Sequence, residues 1–175
     1  FAAGNDGLNN DKFGTSPANI RADNVITVAA TYENKAIANF SNYGQKVHVA
    51  APGVIIESAV PGDEYLKVSG TSQAAPYVAN LAAQIKNTNP KLTPKQIKEI
   101  LMGTVSRANF LQGKVETNGF VNNQKALEVA QLSLSMEVDT AINQLKDNDY
   151  VKVPTVQFPE DSIVGPESIM PLTPI

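Results

Sequence analysis

Cysteine is missing from the 175 residues and histidine occurs once. The first absence excludes a disulfide framework, a thiolate zinc or iron–sulfur centre and a cysteine nucleophile. It is compatible with secretion without requiring it. The second excludes a histidine-rich metal site, and leaves His48 as the one imidazole available to any Ser-His-Asp arrangement held wholly within the chain. Positive charge is also scarce. Fourteen Lys and Arg face 17 Asp and Glu, for a formal net charge of −3, so a basic patch for nucleic acid is not expected. No apolar run reaches the roughly 20 residues that span a bilayer. No basic n-region and apolar h-region open the chain either, so a targeting peptide, if the protein has one, lies upstream.

What is present suits a single domain, or most of one, because 42% of the residues are apolar. Residues 5–24 are rich in Asn, Asp, Gly, Ser and Pro, the composition of a long surface loop. Short β-branched or apolar runs at residues 24–30, 36–40, 47–50, 54–56 and 65–68 read as strands, with turns at Ser41-Asn42-Tyr43-Gly44 and Pro61-Gly62-Asp63. Residues 72–85 are apolar on almost every helical face, which predicts a helix enclosed by the protein. Thr93-Pro94-Lys95-Gln96 is a capping-box start with proline at the first helical position. A third helix is expected from about Asn123, and a weaker fourth around Leu134 to Leu145. Pro154, Pro159, Pro166, Pro171 and Pro174 then mark residues 151–175 as an extended tail with no part in the chemistry.

Chemistry concentrates at Gly70-Thr71-Ser72-Gln73-Ala74-Ala75-Pro76, where a serine stands at the junction of a loop and a helix. A helix N-terminus offers unpaired N–H groups and partial positive charge to a developing oxyanion. Such a serine serves as an N-cap, a phosphate ligand or a nucleophile, and Gly-Thr-Ser alone favours the N-cap. Phosphate binding has little support, because no P-loop lysine accompanies the motif. The surrounding blocks change the weighting. With Ala2-Ala3-Gly4-Asn5, Ser16-Pro17-Ala18, Asn24-Val25-Ile26-Thr27-Val28, Phe40-Ser41-Asn42-Tyr43-Gly44, Ala51-Pro52-Gly53 and Gly119-Phe120-Val121-Asn122 in one order, the chain resembles the subtilisin family of serine peptidases.

That resemblance covers about residues 1–130 and implies an α/β fold. It would be part of a parallel-sheet, subtilisin-like sandwich with helices on both faces and with the N-terminal part of the domain missing. Residues 131–150 would add a helix, and residues 151–175 the tail. Ser72 matches the family's nucleophile and Asn5 its oxyanion-hole amide. Ala2, Ala3 and Gly4 match a wall of the substrate pocket, with Thr15 near its floor. Gln73 stands in place of the methionine that usually follows the nucleophile, Tyr77 in place of a histidine and Asn80 in place of a glycine. None of the three is expected to do chemistry.

His48, in Lys46-Val47-His48-Val49, lacks the His-Gly-(Thr or Ser) context of the family's base and reads as a surface strand residue. The Asp-(Thr or Ser)-Gly motif is absent as well. Since the family's order is Asp, His, Ser, an N-terminal fragment of the same precursor is expected as a companion that carries Asp and His. The implied activity is serine endopeptidase, with a protein or peptide substrate; a propeptide or protein inhibitor is a further partner the family admits. Family habit also implies export and calcium, although no metal ligand set can be matched. The rival reading is a non-catalytic subtilase-like scaffold that binds peptides.

Overall fold

A computed structural model of the protein describes residues 1–150; the proline-rich tail lies outside them. Its sheet grows from alternating small apolar side chains. Strands β1 (Val28–Thr31) and β2 (Val49–Pro52) pair in parallel, from Val28 opposite Val49 to Thr31 opposite Pro52. Val28, Ala30, Val49 and Ala51 fall in one core cluster, and Ala29 and Ala50 in a second on the opposite face. Burial on both faces is the ordinary condition of parallel strands.

A two-stranded antiparallel hairpin, β3 (Ile56–Val60) with β4 (Glu64–Val68), follows and stands largely in solvent. The chain then enters α1 (Thr71–Thr88), whose Ala74, Val78, Leu81 and Ile85 are buried in the first cluster. Next come α2 (Pro94–Gly103), the two-residue strand β5 (Ser106–Arg107), a 3₁₀ turn (Asn109–Leu111) and β6 (Gly119–Phe120). The sheet order is β1-β2-β6-β5. Leu111 and Val115 cover the face away from α1.

The helix starts follow the expected chemistry. Thr93 Oγ1 accepts from Gln96 N at 3.3 Å while Gln96 Oε1 accepts from Thr93 N at 2.9 Å, and Asn122 caps α3 (Asn123–Leu132) through Lys125 N at 3.0 Å. Helix α4 (Val138–Leu145) packs on α2 and α3 instead of standing apart. Gly103 leaves the room for Ile142, since a Cβ there would lie 2.6 Å from Ile142 Cγ2. No helix among the described residues is long and apolar enough to cross a membrane.

Two expectations change. Residues 36–40 form no strand; Ala38 N donates to Ala30 O at 2.9 Å and Tyr32 N to Ala36 O at 2.9 Å, which makes a tight reversal with one bridge. Helix α1 is not enclosed. Pro76, Tyr77, Ala79, Asn80 and Ala83 are exposed, because the described sheet and helices pack on its other side alone. At the start of the chain, Val28 N donates to Phe1 O at 2.9 Å and Ala3 N to Val28 O at 3.0 Å, so residues 1–3 run parallel to β1. Among the described residues no strand pairs with their other side, and Phe1 is 50% exposed.

Candidate active site

The site lies beyond the carboxyl ends of the parallel strands, where open α/β sheets place ligands. Gly53 follows β2, and its carbonyl accepts from Gly70 N at 2.8 Å, which sets the start of α1 at that end of the sheet. Thr71 occupies the first helical position. Its N and Oγ1 both donate to Asn5 Oδ1, at 2.9 and 2.8 Å, and Thr71 Oγ1 accepts from Gly4 N at 3.2 Å. The oxygen end of the Asn5 amide is therefore occupied, and its Nδ2 is turned away from Thr71.

Gly70 shows where that nitrogen points. A Cβ on residue 70 would lie 3.4 Å from Asn5 Nδ2 and 3.6 Å from Ser72 N. Two donors thus flank the gap left by the missing side chain of residue 70, with Gln73 Oε1 at 2.8 Å from the same point. Ser72 N is among the first N–H groups of α1, which have no intrahelical acceptor. No acidic residue occupies the first turn to compete for that positive end. Ser72 and Asn5 are both exposed. The arrangement suits an anion or a carbonyl oxygen that gains charge.

Behind Asn5 stands a residue that the sequence reading had taken as part of a turn. Asn42 is fully buried; its Oδ1 accepts from Asp6 N and Leu8 N at 3.0 Å each, and its N donates to Gly4 O at 2.9 Å. Asn42 Nδ2 donates to Asn10 Oδ1 at 3.0 Å. Asn10 Nδ2 in turn donates to Ala3 O at 3.0 Å, and Thr15 Oγ1 donates to Asn10 Oδ1 at 3.1 Å. One amide network therefore joins Ala3, Gly4 and Thr15 to the loop that carries Asn5. Gly4 takes φ +111°, and a side chain there would collide with Asn42. Only its place in the Phe40-Ser41-Asn42-Tyr43-Gly44 block hinted at Asn42.

His48 is elsewhere. It precedes β2 whereas Ser72 lies past its other end, and five strand residues span roughly 16 Å. Nor is it a surface residue: it is 1% exposed, with Nδ1 accepting from Thr27 N at 2.8 Å. A strand buried on both faces carries its preceding residue inside with it, and the Thr27 N–H gives the ring a partner there. Burial, with the neighbouring basic groups Lys98, Arg21 and the chain's amino terminus, lowers its pKa to about 4. No group of three His, Asp or Glu side chains among the described residues could hold a metal ion, so calcium finds no such donor set there.

The sequence matches the Subtilase family over residues 1–131. It is 42% identical to alkaline elastase YaB of Bacillus sp. (strain YaB) over 105 residues, covering 60% of this chain and 26% of that protein. The fold is similar to that of a cold-adapted subtilisin-like serine proteinase, with a TM-score of 0.56, 38% identity, and coverage of 69% of this chain and 41% of the other. It is also similar to the structure of subtilase cytotoxin SubAB, with a TM-score of 0.68, 27% identity, and coverage of 75% and 48%. The chain thus spans about a quarter of that curated relative and under half of each solved structure.

Proposed function

The chain belongs to the subtilase family of serine peptidases, and from that premise we propose that Ser72 is the nucleophile of an endopeptidase site and Asn5 a donor of its oxyanion hole. The convergence of Asn5 Nδ2 and Ser72 N on the gap at Gly70 carries this reading. Ser72 Oγ adds to the scissile carbonyl, and the charge that develops on the carbonyl oxygen falls between the two donors. The intermediate collapses to an acyl-enzyme as the amine leaves, and water then releases the acyl group. Ala2, Ala3 and Gly4 form a wall for the side chain before the scissile bond, with Thr15 holding the floor in place through Asn10. The substrate is a protein or peptide, and the setting an exported one.

The acid and base come from a further polypeptide segment. The single histidine is buried at the other end of β2, so the imidazole that deprotonates Ser72 belongs to a part of the precursor outside this chain. That part packs against the open edge at residues 1–3 and the exposed side of α1. Native mass spectrometry is expected to show one assembly where denaturing conditions give two species.

A fluorophosphonate probe tests the reaction. Labelling of the assembled protein at Ser72, lost in Ser72→Ala together with peptide hydrolysis, is the expected result. A folded assembly that binds peptides but takes up no probe is a scaffold, and hydrolysis retained in Ser72→Ala removes the proposal.

A further inference from the structure

Away from the active site, a buried ring and a half-buried amine face each other across β2 and α2. His48 Nε2 lies 3.2 Å from Lys98 Nζ, which also approaches Ala22 O at 3.0 Å. The backbone settles the ring's tautomer. Thr27 N–H can only donate, and it meets His48 Nδ1 at 2.8 Å, so Nδ1 keeps its lone pair. The neutral imidazole therefore carries its one proton on Nε2, the atom that faces Lys98.

An ammonium has three donors and no lone pair, so a charged Lys98 would set donor against donor. A free amine resolves the conflict: it accepts from Nε2–H and donates to Ala22 O. We propose that Lys98 is held as an unprotonated amine by His48, which makes it the first of the described lysines to shed its proton and the preferred site among them for acylation by small activated acyl donors. Among the described residues no other acceptor relieves Nε2–H. Glu116 Oε2 is 3.9 Å from it and is taken by Arg21 Nη1 at 3.1 Å, while Arg21 Nη2 donates to Gln45 O at 2.7 Å. Asp23 leans instead toward Lys95, at 3.9 Å. Burial displaces the Lys98 pKa downward, Arg21 adds to that displacement, and Glu116 and Asp23 oppose it.

In the reaction, the Nζ lone pair adds to the carbonyl carbon of an anhydride. An N–C bond forms, the C–O bond to the carboxylate leaving group breaks, and the displaced N–H proton passes to solvent. Lys98 is not sealed from such reagents, since it is only half-buried.

Competitive trace labelling with acetic anhydride tests this on the protein in its native assembly, read lysine by lysine by peptide mass spectrometry. Lys95, on the same helix and exposed, is the internal standard, so the pH dependence of the ratio, whatever its absolute value, reports titration. The Lys98-to-Lys95 labelling ratio is expected to fall several-fold as pH rises from about 7 toward the ordinary lysine range near 10. In His48→Asn, which keeps an acceptor for Thr27 N–H but removes Nε2–H, the ratio flattens. A flat or rising ratio in the unmodified protein overturns the proposal. Nitrogen NMR of the His48 ring gives an answer even where the variant fails to fold: a proton on Nδ1 instead of Nε2 also overturns it.

Discussion

A methyl group at residue 70 is the smallest change that probes the anion site. Its carbon would lie 3.4 Å from Asn5 Nδ2 and 3.6 Å from Ser72 N, in the space where the oxyanion is proposed to sit. Its nearest neighbour, Gln73 Oε1 at 2.8 Å, ends a flexible side chain that can swing aside. Gly70→Ala is therefore expected to fold and bind substrate while kcat falls. Asn5→Ala should do the same, by on the order of 10²–10³, the loss seen when one such donor is removed from subtilisin itself. Steady-state kinetics check both, and a variant that loses KM but keeps kcat would make residue 5 a ground-state contact. A different strain sits at Ile55, a β-branched residue at φ 56° and 65% exposed. Ile55→Asn, which tolerates the left-handed region, is expected to raise stability by about 1 kcal/mol in denaturant titrations. Ser72 and Asn5 were open to proposal from the sequence because their motifs are local. The roles of Asn42 and Thr71 were not, since their partners lie up to 67 residues away. The burial of His48 was not legible because the amide that takes its ring inside comes from Thr27, 21 residues away and just before β1.

The helices illustrate which elements a sequence announces. Pro94 behind a capping Thr93, and Asn122 before α3, declare their starts within four residues, and α1 through α3 appear where the periodicity put them. Strands β5 and β6 span two residues each, too short for alternation to register, and exist because they pair with each other and with β2. The run at residues 36–40 has strand composition but is used as a reversal against β1. Packing between α2 and α4 rests on a residue with no side chain. Gly103→Ala is expected to push Ile142 aside and destabilise the protein by about 1–3 kcal/mol, although alanine is the better helix former. Thermal unfolding reads the sign directly; a stabilised variant would mean that α4 yields freely.

On the scale of the whole molecule, one buried ring makes folding depend on pH. The His48 pKa drops from an ordinary 6.5 to about 4 in the fold. Between those values the unfolded chain binds the additional proton, so stability falls as pH drops from about 6.5 to about 4 and levels off below. Denaturant midpoints across that window test the slope, which should be reduced in His48→Gln. The strand order β1-β2-β6-β5 and the one-sided packing of α1 had no local signature, because both depend on which surfaces meet.

Asn5 meets Thr71 across 66 residues, and the loop around Asn5 meets Asn42 across more than thirty. Contacts of that span close late, since the entropy of long loops must be overcome before they contribute. In refolding of the assembled protein, probe reactivity at Ser72 is therefore expected to lag the helix formation seen by circular dichroism. On the proposed reading, such a site acquires its cutting edge last, after the substrate-like loops of its own half-folded copies have been tucked away.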